Sequence, residues 1–208
     1  MKFKDLREYI AFLEQKGDLR RVSTPVNFEL EITEIADRVV QSGGPALLFE
    51  NVVGYDTPVL INMFTSDQRM AWALGVDHVD DLVARMHGLL QLMQGPPEGL
   101  LNKLRTLGQL VHLGSFQPKT VRNAPCQEVV LQGAEVDLYQ FPILKCWPED
   151  GGRYITLPLV ITKDPETGIR NVGNYRGQIK SPTKTGVYLI SAQQDLAIHW
   201  NKASALGQ

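Results

Sequence analysis

The ten residues RNVGNYRGQI, at positions 170 to 179, place amide, guanidinium and glycine residues in a run that is otherwise typical of a β-strand. Asn171 offers a neutral amide oxygen, which suits a hard divalent metal ion. Arg176 offers a planar guanidinium group that binds phosphate or carboxylate. Gly173 and Gly177 would let a ligand approach the backbone closely, or would permit a bulge. These residue types indicate a binding strand, and a solvated edge strand is the alternative they leave open.

Regular strand geometry would separate the two most chemically useful side chains of this run. Alternate residues of a strand share a face, so Asn171, Gly173 and Tyr175 would face one way and Asn174 and Arg176 the other. One ligand could therefore contact both Asn171 and Arg176 only at a bulge or at a strand end.

A histidine follows in the stretch LAIHWN, where His199 stands between an apolar pair and a tryptophan. Such a histidine is more often a satisfied core residue than a ligand, but imidazole is also a common ligand of transition metals beside oxygen donors. With Asn171 it could supply two ligands of one site. A complete site would need a carboxylate, and Asp195, four residues before His199, is the candidate.

The loop CWPEDGG contains adjacent carboxylates at Glu149 and Asp150. Neighbouring side chains of an extended chain point apart, so the pair is not arranged for general acid and base catalysis. The proline and the two glycines favour a structural loop that leads into a strand.

Composition sets the class of protein. The 208 residues are 43% hydrophobic and 21% charged, with a formal net charge of −2, which is typical of a globular protein and excludes recruitment of nucleic acid by a basic surface. Cys126 and Cys146 lack metal-type spacing, and we expect two buried thiols in a reducing cytosol. With no signal peptide and no run of about 18 apolar residues, we expect a soluble, cytoplasmic protein without a transmembrane segment.

The first 112 residues alternate helical and strand patterns, which predicts a small α/β domain. Apolar residues recur at helical spacing from Leu6 to Leu13, with Gly17 as a stop. The other predicted helices are EITEIADRVVQSGG, DQRMAWALG, VDDLVARMHGLLQLMQ and a further one at about 98 to 110; the predicted buried strands are PALLFENV and TPVLINMF.

From about residue 120 the pattern changes to short strands without a long helical stripe. The predicted strands are CQEVVLQG, RYITLPLVITKD, IRNVGNYRGQI and GVYLISA, and DPETG predicts a hairpin between the second and third. A boundary near GSFQPKT divides the chain into domains at 1–112 and 120–208. Because the sequence stops within a β pattern, we expect it to be a fragment.

Several stretches together carry a resemblance to the N-terminal part of the UbiD-type (3-polyprenyl-4-hydroxybenzoate) decarboxylase family. They are LEITEIADRVVQSGGPALLFENVVGY, PVLINMF, NAPCQEVV, VDLYQFPILKCWPEDGGRYITLPLVIT and RNVGNYRGQI. The resemblance implies an α/β fold in which a small N-terminal α/β domain precedes the beginning of a flavin-binding split β-barrel. It also implies reversible decarboxylation of aromatic or α,β-unsaturated acids with prenylated FMN, a divalent metal (usually Mn²⁺) and a monovalent cation (often K⁺).

The resemblance assigns roles to individual residues. Asn171 matches a metal ligand, His199 matches a second metal ligand in many members, and Arg176 matches the arginine of the catalytic network. The cofactor-binding residues that it implies are Asn171, Val172, Gly173, Asn174, Tyr175, Arg176, Ile198, His199 and Trp200. We therefore expect Asn171 and Arg176 to line the same cleft, with Gly173 available to break the regularity of the strand, and His199 to lie near Asn171.

Other implications concern what acts together with this chain. The family's metal-binding glutamate and catalytic acids fall beyond residue 208, so we expect the chain alone to be inactive. The substrate is an aromatic or unsaturated acid, first 4-hydroxy-3-polyprenylbenzoate of ubiquinone biosynthesis, and a flavin prenyltransferase supplies the cofactor. We expect a homo-oligomer at full length and leave room for a peripheral membrane contact.

Two alternatives from other functional classes stay open at this point. One is a non-catalytic flavin-binding or assembly module, and the other is a flavin reductase-like split barrel. The stretch from Arg176 to His199 is longer than in many family members, and NKASALGQ fits the motif poorly, which leaves the substrate class open.

Overall fold

The computed structural model describes residues 3–93 and 120–208. In chain order the helices and strands are α1 (Leu6–Gln15), β1 (Leu19–Val22), α2 (Glu31–Gln41), β2 (Ala46–Phe49), β3 (Val59–Ile61), α3 (Asp67–Leu74), α4 (Asp80–Met93), β4 (Tyr154–Ile155), β5 (Leu159–Lys163), β6 (Arg170–Asn174), β7 (Gly177–Ser181), β8 (Lys184–Val187) and α5 (Asp195–Ala205). The described part is a mixed α/β structure with small sheets, as the sequence predicts. Its described strands form no closed barrel.

The first sheet has the strand order β1-β2-β3, with β1 parallel and β3 antiparallel to the central strand. The four residues of β2 are all buried, as expected for a central strand with an uninterrupted apolar sequence. A core forms around this sheet from Val26, Ile32, Leu47, Phe49 and Val52. The apolar stripe of α2 contributes Ile32 to it, which explains the helical spacing of that stripe.

Two predicted strands are each divided in two. RYITLPLVITKD forms β4 and β5, which lie in different sheets and are separated by the segment that contains Pro158. Proline cannot donate to a sheet ladder, so an interruption there is expected. IRNVGNYRGQI forms β6 and β7, also in different sheets, and the chain changes sheet at Tyr175 and Arg176. The predicted DPETG hairpin is confirmed, since β5 and β6 pair in antiparallel register.

The prediction of a strand at CQEVVLQG is wrong. Residues Pro125–Gln127 form a 3₁₀ turn, and no strand is present between residues 120 and 153 of the described chain. Val129 is 77% exposed, so the apolar run has no neighbouring strand to pair with or pack against. Cys126 is also exposed rather than buried, whereas Cys146 is half-buried, and both are free thiols.

The second half of the chain also contains a helix that the sequence pattern does not predict. Helix α5, Asp195–Ala205, has 11 residues and buries Ala197. The predicted strand GVYLISA is shorter than expected, because β8 ends at Val187. The predicted helix at about 98 to 110 falls outside the described residues.

The described residues group into two compact units that do not follow chain order. One contains the described residues within Met1–Gly17 and Met63–Leu131, and the other contains Asp18–Asn62 and Gln132–Gln208. These units do not coincide with the division predicted between residues 112 and 120. The reason lies inside the second unit, where Arg153 contacts the ring of Phe28 and donates a hydrogen bond to the hydroxyl of Tyr55. Within the described ranges, no helix has the length and apolar character needed to cross a membrane.

Candidate functional site

The hairpin of β5 and β6 sorts the residues of the binding strand onto two faces. Asn171 and Gly173 are half-buried, whereas Arg170, Val172 and Asn174 are exposed. Thr162 of β5 is the register partner of Asn171 and is also half-buried. Directly paired residues of an antiparallel sheet project to the same face. The side chains of Asn171 and Thr162 therefore share the half-buried face of this two-stranded sheet.

Helix α5 brings His199 to that face. Nδ1 of His199 lies 2.8 Å from Oγ1 of Thr162, which is a hydrogen-bond distance. Thr162 thus adjoins both Asn171, through the strand register, and His199, through its hydroxyl group. The structure brings the two predicted metal ligands to one side of one sheet, while their role as ligands stays a prediction.

A second contact secures the same helix to the turn after β5. Nζ of Lys202 donates to Oδ2 of Asp164 at 2.7 Å and lies 2.9 Å from Oε2 of Glu166. The other carboxylate oxygen of Asp164 accepts hydrogen bonds from the backbone N–H groups of Glu166 and Thr167. The Lys202 ammonium group, helped by these N–H groups, holds the pKa of the Asp164 carboxyl well below its usual range.

Asn171 carries a buried group that the protein does not satisfy. Its Nδ2 atom is buried and has no hydrogen-bond partner within residues 3–93 and 120–208, a state that costs roughly 1–3 kcal/mol for a polar group. Rotation of the amide about the Cβ–Cγ bond exchanges Nδ2 with the oxygen, which is the atom that binds cations. A bound metal ion would supply the partner that this buried amide group lacks.

The part of the chain that the structure describes supplies no third ligand. Among the described residues, no group of three His, Cys, Asp or Glu side chains is arranged to hold a metal ion. Asp195 lies one helical turn before His199 on α5, but its side chain is exposed. A divalent metal at Asn171 and His199 would need a further donor from a ligand or from another part of the protein.

Arg176 lies beside a cavity of about 590 Å³. The cavity is lined by Tyr154, Asn174, Tyr175, Arg176, Gln178, Lys180, Gly186, Val187, Tyr188, Ile190 and Gln194. The guanidinium carbon of Arg176 stands 4.5 Å from the ring centre of Tyr154, a cation–π contact that orients the group. The break between β6 and β7 places Arg176 at a strand end, where it can face a ligand.

A buried polar atom without a partner also lies at this cavity. Oε1 of Gln194, the N-cap residue of α5, is buried and has no hydrogen-bond partner in the part of the chain that the structure describes. The cavity therefore combines the positive charges of Arg176 and Lys180 with an unsatisfied amide group. An anionic ligand that also offers a hydrogen-bond donor would match this lining.

Gly173 gives Tyr175 its position in the cavity wall. A Cβ atom built on Gly173 would lie only 2.9 Å from Cζ of Tyr175, and other ring atoms are in contact as well. The ring therefore covers the half-buried face of β6 where a side chain would otherwise be. Glycine at this position has a steric role and is not needed for an unusual backbone angle.

The predicted site residues fall into two groups. Asn171 and His199 adjoin Thr162, whereas Asn174, Tyr175 and Arg176 line the cavity. Of the remaining predicted residues, Val172 is exposed on the opposite face of the sheet, Ile198 is half-buried, and Trp200 is 68% exposed. Whether one ligand contacts both groups, as the predicted common cleft of Asn171 and Arg176 requires, stays a prediction.

Three residues of the site carry no signal in the sequence. Thr162 is an ordinary strand residue, Tyr154 is an ordinary aromatic strand residue, and Gln194 stands in a polar run. Only the fold shows that each one contacts a predicted site residue or lines the cavity with it.

A further cavity of about 590 Å³ has different chemistry. It is lined by Glu29, Leu30, Glu31, Thr33, Glu34, Asp37, Cys146, Trp147 and Pro148. Burial raises the pKa of the Cys146 thiol, so the thiol stays protonated and is a poor nucleophile. The carboxylates of this cavity would repel an anionic substrate, and for this reason the cavity beside Arg176 is the better candidate.

Two family models match the chain. The model of the 3-octaprenyl-4-hydroxybenzoate carboxy-lyase N-terminal domain matches residues 10–86. The model of the 3-octaprenyl-4-hydroxybenzoate carboxy-lyase Rift-related domain matches residues 119–208. The two matches together cover most of the chain, and the second contains all the site residues predicted from the sequence.

A curated relative and two solved structures are similar over nearly all of the chain. An uncharacterized protein of Archaeoglobus fulgidus is 46% identical over 188 residues, which are 90% of this chain and 38% of the relative. The closed form of vanillic acid decarboxylase from Sedimentibacter hydroxybenzoicus has a TM-score of 0.77 and 30% identity, covering 99% of this chain and 41% of that one.

The second solved structure contains a flavin. It is an evolved dimeric form of the UbiD-class enzyme HmfF from Pelotomaculum thermopropionicum in complex with prFMN, with a TM-score of 0.71 and 28% identity over 99% of this chain and 42% of that one. In each of these comparisons, the chain spans about two fifths of the length of the protein it matches.

Proposed function

We propose, since this chain belongs to the UbiD family, that it acts in the reversible decarboxylation of an aromatic or α,β-unsaturated carboxylic acid, as part of a prenylated-FMN-dependent carboxy-lyase. Matches to two models of a carboxy-lyase support this proposal. So does the similarity to a decarboxylase and to an enzyme solved with prFMN.

The observation that carries the proposal is the buried, unsatisfied amide of Asn171 beside Thr162, whose hydroxyl group contacts His199. We propose that Asn171 and His199 hold a divalent cation, Mn²⁺ in the first instance. An amide oxygen and an imidazole nitrogen are both suitable donors for Mn²⁺. The positive ion would offset the charge of the flavin phosphate, with K⁺ as a further cation at the phosphate.

The flavin would lie against β6 and the start of the turn that follows it. The residues proposed to hold it are the backbone from Val172 to Tyr175 and the side chains of Arg176, Ile198, His199 and Trp200. When bound, prenylated FMN would accept electron density from the substrate as CO₂ leaves. The protein would provide orientation and charge.

Arg176 would bind the carboxylate of the substrate. Its guanidinium group stands at the cavity and is oriented by Tyr154. A paired hydrogen bond to carboxylate is the strongest contact that such a group can offer to an acid. Arg176 would thereby hold the acid in place and stabilise its negative charge.

We also propose a substrate, a cellular location, an oligomeric state and a domain division. The first candidate substrate is 4-hydroxy-3-polyprenylbenzoate, since the family models describe a carboxy-lyase of the octaprenyl acid. Vanillic acid is the second, since it is the acid in the name of the similar decarboxylase. We further propose that the protein is a cytoplasmic homo-oligomer and that a flavin prenyltransferase supplies its cofactor. We also propose domains at 1–112 and 120–208, which the family matches at 10–86 and 119–208 support.

The test is CO₂ release by protein expressed from its complete open reading frame together with a flavin prenyltransferase. We expect Arg176→Ala to lower kcat/KM at least about a hundredfold, as the loss of one charge-stabilising group does in other enzymes. We expect Asn171→Ala to abolish turnover. Arg170→Ala is the matched control, because Arg170 is an exposed arginine of the same strand that does not line the cavity. Turnover that survives Arg176→Ala would contradict the assignment, and oxidation of a nicotinamide without CO₂ release would favour a flavin reductase.

A further inference from the structure

Thr162 is in an unusual position because it adjoins both predicted metal ligands. It pairs with Asn171 across the β5–β6 ladder, and its Oγ1 atom is 2.8 Å from Nδ1 of His199. Its side chain is half-buried. The mechanism proposed above does not use this hydroxyl group.

The hydrogen bond between Thr162 and His199 affects which nitrogen of the imidazole ring can bind a metal ion. A neutral histidine ring carries one proton, and the hydrogen bond made by one ring nitrogen sets which nitrogen is left free for a metal. If Nδ1–H donates to Oγ1 of Thr162, then Nε2 keeps its lone pair and can bind a cation. If instead the hydroxyl group of Thr162 donates to Nδ1, the ring proton lies on Nε2. Nε2 then has no free lone pair and cannot bind a cation.

We propose that Thr162 is a positioning residue, which accepts a hydrogen bond from Nδ1–H of His199 and so presents Nε2 of the ring for metal binding. The inference rests on the proposed function, because it assigns a purpose to the orientation of His199.

The ion pairs that hold helix α5 against the turn after β5 support this role of Thr162. Lys202 stands three residues after His199 and is ion-paired with Asp164 and Glu166. Asp164 follows Thr162 by two residues on the same chain segment. The helix therefore contacts β5 and its turn at two successive places, which opposes rotation of the helix and keeps the His199 ring at the hydroxyl group.

The first test determines which ring nitrogen of His199 carries the proton. Full-length protein labelled with ¹⁵N in histidine is studied without metal by magic-angle-spinning NMR, which distinguishes the neutral tautomers and the charged ring. The variant His199→Asn identifies the signals of this ring. We expect wild-type His199 to carry its proton on Nδ1 and Thr162→Ser to preserve that tautomer. Thr162→Val, which keeps the β-branched shape but lacks the hydroxyl group, should shift the ring toward the Nε2–H tautomer. Thr162→Ala serves as a second hydroxyl-free variant if Thr162→Val does not fold.

A proton on Nε2 in the wild type would overturn the inference. An unchanged tautomer in both hydroxyl-free variants would overturn it too. A merely structural role for Thr162 would lower stability without moving the ring proton.

The second test measures Mn²⁺ binding from the EPR signal of the free ion. Removal of a group that orients a metal ligand typically weakens metal binding about 10- to 100-fold, and we expect this loss for Thr162→Val but not for Thr162→Ser. A shifted tautomer with unchanged Mn²⁺ affinity would contradict the positioning role. Mn²⁺ binding that is insensitive to His199→Asn would instead contradict the proposed metal site itself, so the two failures can be told apart.

Discussion

At the scale of single residues, the missing side chain of Gly173 decides where the ring of Tyr175 can lie. The ring occupies the space that a Cβ atom would need and forms part of the cavity wall beside Arg176. Rigid overlap of this kind is relieved only by moving the ring or the strand.

We expect Gly173→Ala to destabilise the protein by about 1–3 kcal/mol, the usual cost of overpacking. The measurement is urea unfolding followed by circular dichroism. Gly177→Ala is the control, because a Cβ atom at Gly177 meets nothing within 4 Å. That variant should be neutral, or more stable by up to about 1 kcal/mol through the loss of unfolded-chain entropy. Equal stability of the two variants would show that Tyr175 moves without cost.

Residue types alone can mark Asn171, Arg176 and His199, because amide, guanidinium and imidazole groups are unusual in strands and apolar runs. They cannot mark Thr162, since threonine is common in strands for reasons of shape. Its contact with His199 joins residues 37 positions apart. Only the fold reveals that pairing.

At the scale of elements, the attachment of α5 to the turn after β5 depends on charge. The pKa of Asp164 falls on folding because of Lys202 and the backbone N–H groups of Glu166 and Thr167. A carboxyl whose pKa falls on folding stabilises the folded state above its unfolded pKa of about 3.9. This stabilisation is lost as the pH falls through the lower, folded pKa.

We therefore expect Asp164→Asn to be less stable than the wild type by a constant amount above about pH 5, with a difference that shrinks below about pH 4. Asparagine still accepts from the two N–H groups, so the variant removes the charge and leaves the turn intact. The measurement is the free energy of unfolding by urea at a series of pH values. A difference that grows as the pH falls would have the wrong sign for this mechanism.

Element types with clear periodicity are predictable here, whereas element ends and α5 are not. The stripe of α2 and the apolar run of β2 follow from spacing alone. Helix α5 lacks such a stripe, because its 11 residues include Asn201, Lys202 and Ser204 between short apolar groups. The apolar run at CQEVVLQG shows the opposite error, since its side chains are exposed and no strand pairs with it.

At the scale of the whole molecule, the outer face of the β5–β6 hairpin is apolar and exposed. Ile161 is 66% exposed, its register partner Val172 is 59% exposed, and Leu159 is exposed on the same face. A two-stranded sheet with open edges and an apolar face favours association.

We expect the 208-residue chain to self-associate as its concentration rises, and the double variant Ile161→Thr with Val172→Thr to reduce this. Threonine keeps the β-branched shape and removes apolar surface. The measurement is sedimentation velocity, and Val129→Thr is the control because Val129 is equally apolar and exposed but lies outside any strand. An equal effect of the control would mean that the hairpin face is not responsible.

We also expect the 208-residue chain alone not to decarboxylate at a useful rate. A positioned proton-transfer group typically contributes about 10²- to 10⁴-fold. The described lining of the cavity contains no carboxyl or imidazole group, and the described residues offer no third metal ligand. The measurement is CO₂ release by this chain and by the complete open reading frame, each produced with a flavin prenyltransferase. Clear turnover by the 208-residue chain would mean that the catalytic groups are misassigned.

The bond from Arg153 to Tyr55 spans 98 residues, and that span has a consequence during synthesis on the ribosome. At roughly 5–20 residues per second, Tyr55 is made about 5–20 seconds before Arg153, and Phe28 is made earlier still. The first sheet can form early, because its three strands lie within residues 19–61. The ring of Phe28 and the hydroxyl group of Tyr55, however, lack their contacts with Arg153 until that residue emerges, which makes this interval the time at which a chaperone would be most useful.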